Sequence, residues 1–150
     1  MTENAGKRTI LVVEDDSALR GLIVRILRRG GLEAMSTGKA QVGLSLVREH
    51  CGAIDLAIID MVMPGMSGLD LATDLDREFP ELKILYISGY VDSIAADVLS
   101  RRSPDRVLLK PFGERALLDR VHLLLPPAAR RHPGKAAGIP DPVLRNGTLG

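Results

Sequence analysis

The sequence predicts an α/β fold in which a parallel sheet carries helices on both of its faces. Short, branched apolar runs alternate along the chain with amphipathic segments of helical period, and this alternation occurs five times. The apolar runs are almost continuous, which is typical of strands that are buried on both faces. Right-handed crossovers would join such strands through the intervening helices.

The first strand and helix are the clearest elements. Thr9–Val13 (TILVV) is a nearly wholly apolar run that stops at three acidic residues, 14 to 16. From Ser17 onward the apolar residues recur with a period of 3.6, and the pair Gly30 and Gly31 ends the helix.

The same alternation predicts the remaining elements. The other predicted strands are residues 32–36, 54–59, 83–87 and 106–109. The other predicted helices are residues 38–49, 68–79, 93–101 and 114–125. Gly43 and Ser45 weaken the helical propensity of the second helix.

The length of 150 residues predicts one domain, which we place at residues 9–125. Residues 1–8 form a polar N-terminal tail. Residues 126–150 hold five of the nine prolines, four glycines and scattered basic residues, a composition that predicts a disordered tail. A tail that docks on a partner is the alternative.

Charge and hydropathy exclude several classes of function. The formal net charge is +1, so no overall field draws the chain to nucleic acid, and we expect no direct nucleic-acid binding. No apolar run approaches the ~20 residues needed to cross a bilayer, so we expect no membrane insertion. The single cysteine, Cys51, has no partner for an internal disulfide, which fits a cytoplasmic protein.

Polar residues follow four of the predicted strands, where the carboxyl ends of parallel strands form the usual ligand site. Glu14 and Asp15 follow the first strand, Asp60 the third, Ser88 the fourth and Lys110 the fifth. Two carboxylates ~5 Å apart repel by roughly 3 kcal/mol at an effective dielectric of ~20, so the cluster needs a cation. Hard oxygen ligands favour Mg²⁺.

A second interpretation applies to the acidic run itself. Acidic residues often cap the helix that follows them, and Asp16 stands directly before the helix that begins at Ser17. Capping does not account for Asp60, Ser88 and Lys110 together, so it competes with metal binding mainly at Asp16.

Four motifs resemble those of response-regulator receiver domains, in the same order: VVEDD, IIDMVMPGMSG, ISGY and LLKPF. The intervals between Asp15, Asp60, Ser88 and Lys110 are 45, 28 and 22 residues. The resemblance runs from about Thr9 to Leu125. It implies a five-stranded, flavodoxin-like receiver fold with strand order 2-1-3-4-5.

The resemblance also implies the chemistry of the acidic residues. Asp60 would be the phosphorylated nucleophile. Asp15 would bind Mg²⁺ directly and Glu14 through water, while the backbone carbonyl of Val62 would complete the protein's share of the metal ligands.

The remaining roles concern the phosphoryl group. By resemblance, Ser88 would donate a hydrogen bond to it, the amides of Val62 and Gly89 would assist, and Lys110 would neutralise its charge. The peptide bond between Lys110 and Pro111 is expected to be cis.

The sequence departs from the family pattern at one switch position. Relatives usually carry Phe or Tyr three residues before the lysine, where this chain has Val107. Tyr90, two residues after Ser88, is a candidate substitute, and a rim residue that shields the site is the alternative. Either way, Ser88, Tyr90 and Val107 form the predicted switch set.

The resemblance implies a phosphoacceptor in a two-component phosphorelay, not a turnover enzyme. Its expected donor is a sensor histidine kinase or a histidine phosphotransfer protein. With no output domain evident, the signal would pass to an unknown downstream protein by contact. ISGY and LLKPF resemble receivers of hybrid sensor kinases.

Two other functions fit the predicted fold less well. A flavodoxin-like cofactor binder would need a phosphate loop where the chain has acidic residues. An aspartyl-nucleophile phosphatase would carry its nucleophile after the first strand. Separately, Arg101 and Arg102 could join the arginines of the first helix in a basic docking surface, or all could be solvated.

Overall fold

The five-stranded parallel sheet is the frame of the molecule. A computed structural model describes residues 6–50, 52–89 and 103–125, and Arg8–Leu125 form one compact unit. The strands lie in the order β2-β1-β3-β4-β5, which confirms the predicted fold class and strand order. Their bounds are β1 Thr9–Val13, β2 Glu33–Thr37, β3 Leu56–Asp60, β4 Lys83–Ser88 and β5 Val107–Leu109.

Helices of the described residues cover both faces of the sheet. Their bounds are α1 Ser17–Arg29, α2 Ala40–Glu49, α3 Gly68–Glu78 and α4 Glu114–Leu124, with a short 3-10 turn at Pro104–Arg106. The predicted bounds differ from these by two residues at most. Arg106, predicted as strand, belongs to the 3-10 turn. The predicted helix at 93–101, Cys51 and the tail from residue 126 lie outside the described residues.

The sheet divides the core into two layers. Leu11 and Val13 of β1 point to the layer that contains Leu71 of α3, while Ile10 and Val12 point to the layer that contains Ile23 of α1. Successive residues of a strand face opposite sides of its sheet, so β1 contributes to both layers. This two-sided burial is why the inner strands are nearly continuous apolar runs, whereas the edge strand β2 (EAMST) is only partly buried.

Gly43 has a packing role in α2. A Cβ atom added at this position would lie 2.9 Å from Cγ2 of Val13. The helix therefore approaches the sheet more closely than a larger residue would permit. The glycine that weakens the helical pattern in the sequence is explained by this contact.

The register of the strands brings their carboxyl ends to one edge. Asp60 is opposite Ile87 of β4, and Ser88 is opposite Leu109 of β5. The turns that follow β1, β3, β4 and β5 therefore meet.

Among the described helices, none combines the length and the apolar character that a membrane span requires.

Candidate functional site

Asp60 closes β3 and is only 4% exposed. The backbone amide of Val62 donates a hydrogen bond to Oδ1 of Asp60 at 3.0 Å. Nζ of Lys110 donates to the other carboxylate oxygen, Oδ2, at 3.1 Å. Both oxygens of the carboxylate are therefore oriented by residues that follow β3 and β5.

The acidic turn after β1 is held by backbone contacts. The amide of Glu14 donates to the carbonyl of Thr37 at 3.1 Å, and the amide of Asp16 donates to Oε2 of Glu14 at 3.1 Å. Nη1 of Arg20, one turn into α1, donates to the carbonyl of Glu14 at 2.8 Å. These bonds fix the direction in which the Glu14 side chain enters the site.

Three carboxylates converge at the edge of the sheet. Glu14, Asp15 and Asp60 each offer an oxygen within 4.8 Å of the others. Glu14 is 1% exposed, whereas Asp15 is exposed, so the cluster is closed on the protein side and open to solvent at Asp15.

A divalent cation fits this donor set. Oε1 of Glu14 is buried and accepts no hydrogen bond from the described part of the chain, although Nζ of Lys110 lies 3.4 Å away. One ammonium therefore faces three carboxylates. All-oxygen ligands of this kind suit Mg²⁺, which could be held by Glu14, Asp15 and Asp60.

The pKa values of the site reflect this imbalance. Burial, together with the hydrogen bond and negative charge of Asp60, raises the pKa of Glu14 to about 7, against the opposing effects of the Asp16 amide and the Lys110 charge. Burial by itself disfavours the ammonium of Lys110, but Asp60 and Glu14 outweigh it and raise the Lys110 pKa above its ordinary value.

Ser88 and Gly89 lie on the other side of Asp60. Ser88 is 2% exposed, and its carbonyl accepts the amide of Lys110 at 2.8 Å, which joins the ends of β4 and β5. A Cβ atom at Gly89 would come within 3.9 Å of Cδ of Lys110. The peptide bond between Lys110 and Pro111 is cis, as expected.

Asp16 caps α1 and is not a member of the carboxylate cluster. Its Oδ1 accepts the amides of Ala18 and Leu19 at 3.0 and 3.2 Å, at the N-terminus of α1. The carboxylate cluster consists of Glu14, Asp15 and Asp60. The structure thus separates two adjacent aspartates that look equivalent in the sequence.

The predicted switch set is only partly described. Val107 is buried in the core layer of α2 and α3, opposite Tyr86 of β4. Tyr86 is also buried, and this burial raises its pKa. Tyr90 lies outside the described residues. The switch roles of Ser88, Tyr90 and Val107 therefore stay predictions.

Two residues support the site in ways that the sequence does not indicate. Gly68 is the last residue of the IIDMVMPGMSG motif, and a Cβ atom there would lie 1.9 Å from the carbonyl oxygen of Asp60, so only glycine fits where α3 begins. Arg20 is one of the first-helix arginines for which the sequence suggests only a basic or solvated surface, yet it donates to the carbonyl of Glu14. Neither contact is visible in the sequence, because each depends on the approach of a helix to the edge of the sheet.

The arrangement matches a known family. The sequence model of the response regulator receiver domain matches residues 10–122. This chain belongs to the response regulator receiver domain family. Receiver domains are generally signalling modules, not enzymes, and they interact with histidine kinases and phosphotransfer proteins. Magnesium and phosphorylation are typical of the family.

Similar proteins share the receiver and not their whole length. The sensor kinase CckA of Brucella abortus is 32% identical over 124 residues, 83% of this chain and 13% of that protein. The DNA-binding transcriptional regulator NtrC of Azospirillum brasilense is 37% identical over 125 residues, 81% of this chain and 26% of that protein. The match thus spans about a quarter or less of either relative.

Solved receiver structures have the same fold. A receiver domain protein from Clostridium thermocellum superposes with a TM-score of 0.72 at 26% identity, covering 78% of this chain and 93% of that one. The chemotaxis protein CheY4 of Vibrio cholerae gives a TM-score of 0.70 at 20% identity, covering 79% and 99%, and supports the fold alone.

Proposed function

We propose that this receiver accepts a phosphoryl group on Asp60 in a Mg²⁺-dependent reaction. One observation carries the proposal. One oxygen of the Asp60 carboxylate accepts a hydrogen bond from the ammonium of Lys110, and the other accepts one from the amide of Val62. The carboxylates of Glu14 and Asp15 lie beside it. A nucleophile oriented in this way needs no separate general base, because an ionised carboxylate already attacks phosphorus.

The metal ligands that we assign are Glu14, Asp15 and Asp60, with the backbone carbonyl of Val62 as a further ligand. The orphaned, buried Oε1 of Glu14 supports this assignment. When bound, Mg²⁺ would supply positive charge against the oxygens of the phosphoryl group.

The remaining steps of phosphoryl transfer would be carried out by side chains and backbone amides of the protein. An Asp60 oxygen forms the new bond to phosphorus as the bond from phosphorus to the donor's imidazole nitrogen breaks, and the electron pair stays on the imidazole. Lys110 neutralises charge on the transferred group. Ser88 donates a hydrogen bond to it, and the amides of Val62 and Gly89 assist.

The proposed donor is a sensor histidine kinase or a histidine phosphotransfer protein, and the proposed output is contact with a downstream protein. The relationship to a sensor kinase, CckA, supports a place in a phosphorelay. Transfer of one phosphoryl group per molecule, without catalytic turnover of a substrate, follows from the use of Asp60 as the acceptor. Cytoplasmic location stays a prediction.

A mass measurement tests the acceptor. The full chain is incubated with Mg²⁺ and acetyl phosphate, and we expect a mass gain of one phosphoryl group. Asp60→Asn should abolish the gain. Asp70→Asn, which alters an aspartate of α3 outside the carboxylate cluster, is the matched control and should keep it.

Two outcomes of this experiment would contradict the proposal. A phosphoryl group that is still acquired by Asp60→Asn would place the acceptor elsewhere. Equal incorporation in wild type with Mg²⁺ and with a chelator would refute the metal requirement.

A further inference from the structure

A basic groove lies along α1, beside the edge strand β2. It has a volume of about 630 Å³. Arginines of α1 line it together with Ser36 of β2, namely Arg20, Arg25, Arg28 and Arg29. None of the described residues that line it is acidic.

Most of this positive charge is not compensated within the described residues. Arg20 donates to the carbonyl of Glu14 at 2.8 Å, and Arg28 donates to the carbonyl of Ala34 at 3.1 Å. A carbonyl holds a guanidinium in place but does not cancel its charge. Arg29 pairs with Glu114, whereas exposed Arg25 forms no ion pair with a described residue.

Gly21 is a second, independent observation. It lies within α1 and lines the groove, although glycine destabilises a helix interior relative to alanine. A Cβ atom built there meets no atom within 4 Å, so the fold does not require glycine at this position. An absent side chain does allow the backbone of a ligand to approach the helix closely.

We propose that this groove docks an acidic, extended segment of a partner protein, whose carboxylates pair with Arg20, Arg25 and Arg28. Arginine suits carboxylates because its planar fork binds them with two parallel hydrogen bonds. A helix of 13 residues is about 20 Å long, which matches about six residues of extended chain. None of the described residues that line the groove is aromatic and able to stack on a nucleobase, which disfavours a nucleotide.

This surface goes beyond the phosphoacceptor function. Because Arg20 also donates to the carbonyl of Glu14, the test changes Arg25 and Arg28 and leaves Arg20 unaltered. The test uses the full chain and a fluorescently labelled hexaglutamate peptide, with fluorescence anisotropy at low ionic strength as the readout. We expect saturable binding that weakens as salt is added, because the contacts are exposed charges. We expect Arg25→Glu with Arg28→Glu to weaken binding roughly tenfold or more.

A double control variant carries the same change of charge. Arg48→Glu with Arg77→Glu alters arginines of α2 and α3, which pack on the opposite face of the sheet. Binding should be unchanged in this control. If both double variants lose binding equally, the attraction is general and the groove is not a docking site. Absence of binding by the wild type also overturns the proposal.

A second pair of variants tests the shape of the groove without changing its charge. Gly21→Gln puts a side chain into the open space and also improves helix propensity, so the variant folds. We expect Gly21→Gln to bind the peptide more weakly than the wild type. Ala18→Gln is the control, because Ala18 is exposed on α1 and does not line the groove, and it should bind the peptide as the wild type does. Unchanged binding in Gly21→Gln would refute the close approach.

Two further measurements test which ligand occupies the groove and whether the groove is needed for phosphorylation. ATP and inorganic polyphosphate are each added as competitors of the labelled peptide, with unlabelled hexaglutamate as the reference competitor. If either one displaces the labelled peptide at a lower concentration than hexaglutamate does, the assignment of an acidic segment is wrong. Arg25→Glu with Arg28→Glu should acquire a phosphoryl group from acetyl phosphate at the wild-type rate. Failure of peptide binding with normal phosphorylation would thus leave the Asp60 proposal intact.

Discussion

Buried charges occur at both edges of the sheet, but in different proportions. At the amino edge, Nη1 of Arg8 lies 3.8 Å from Oδ1 of Asp55, and Oδ2 of Asp55 accepts the amide of Thr9 at 2.8 Å. A cation and an anion thus lie side by side. At the carboxyl edge, the ammonium of Lys110 lies beside a cluster of three carboxylates among the described residues.

The balance of charge at each edge of the sheet distinguishes a structural ion pair from a candidate binding site. A pair of opposite charges can contribute to folding without a ligand, whereas a surplus of like charge favours the binding of a cation or a proton. Burial, and to a smaller extent the neighbouring Asp60 carboxylate, raise the pKa of Glu14, so this carboxyl is ionised less readily than a solvated one.

The amino-edge pair should matter for stability and not for chemistry. Arg8→Met removes the guanidinium beside the largely buried Asp55 carboxylate, which we expect to lower the free energy of unfolding by about 3 kcal/mol. Urea denaturation measures it. The double variant with Asp55→Asn should lose less than Arg8→Met alone, and Asp60 should be phosphorylated normally in the folded fraction. Loss of phosphorylation in folded Arg8→Met would break the contrast.

The carboxyl-edge lysine should show the opposite behaviour. Lys110→Ala removes the ammonium beside Asp60 and should slow phosphorylation by acetyl phosphate about 100-fold, or about 2.7 kcal/mol in the barrier. Its unfolding free energy should fall little, since the carboxylates can bind Mg²⁺. A time course of mass gain follows the rate. A rate within threefold of wild type would remove Lys110 from the mechanism.

Metal binding should depend on pH through Glu14. Mg²⁺ prefers the ionised carboxylate, so with a Glu14 pKa of about 7 its affinity should be about tenfold weaker at about pH 6 than at about pH 8. Titration calorimetry at both values measures this ratio. Glu14→Gln should bind more weakly but with a flatter pH profile.

The same pKa predicts the stability of the metal-free protein. The folded state holds the Glu14 proton more tightly than the unfolded chain, whose pKa is 4.5. The contribution of Glu14 to the free energy of unfolding should therefore be fully present below pH 4.5, and it should be lost as the pH rises through about 7. Thermal unfolding of wild type and Glu14→Gln, without metal, would separate this contribution from the others.

The smallest effect should distinguish two adjacent aspartates. Asp16→Ala removes the cap of α1 and should cost about 1 kcal/mol of stability while Mg²⁺ affinity stays normal. Asp15→Asn should do the reverse, weakening Mg²⁺ binding with little loss of stability. Calorimetry and urea denaturation on both variants decide it. The same loss of Mg²⁺ affinity in both variants would refute the division of roles.

Much of the site could be predicted because parallel strands deliver their last residues to one edge. Once the apolar runs were recognised, Asp60, Ser88 and Lys110 had to lie close together, whatever the packing of the helices. The motifs then supplied their proposed chemistry. By contrast, the roles of Asp15 and Asp16 differ only in the direction of their side chains, which periodicity does not determine.

The order of the elements, the two-sided burial of the inner strands and the edge at which the polar residues meet can all be predicted from the amino-acid sequence. They follow from local periodicity and from the chirality of crossovers. Three other features require the packed structure: the need for glycine at Gly68, the pairing of Arg8 with Asp55, and the open groove at Gly21. They depend on how separate elements approach one another, whereas periodicity describes each element by itself.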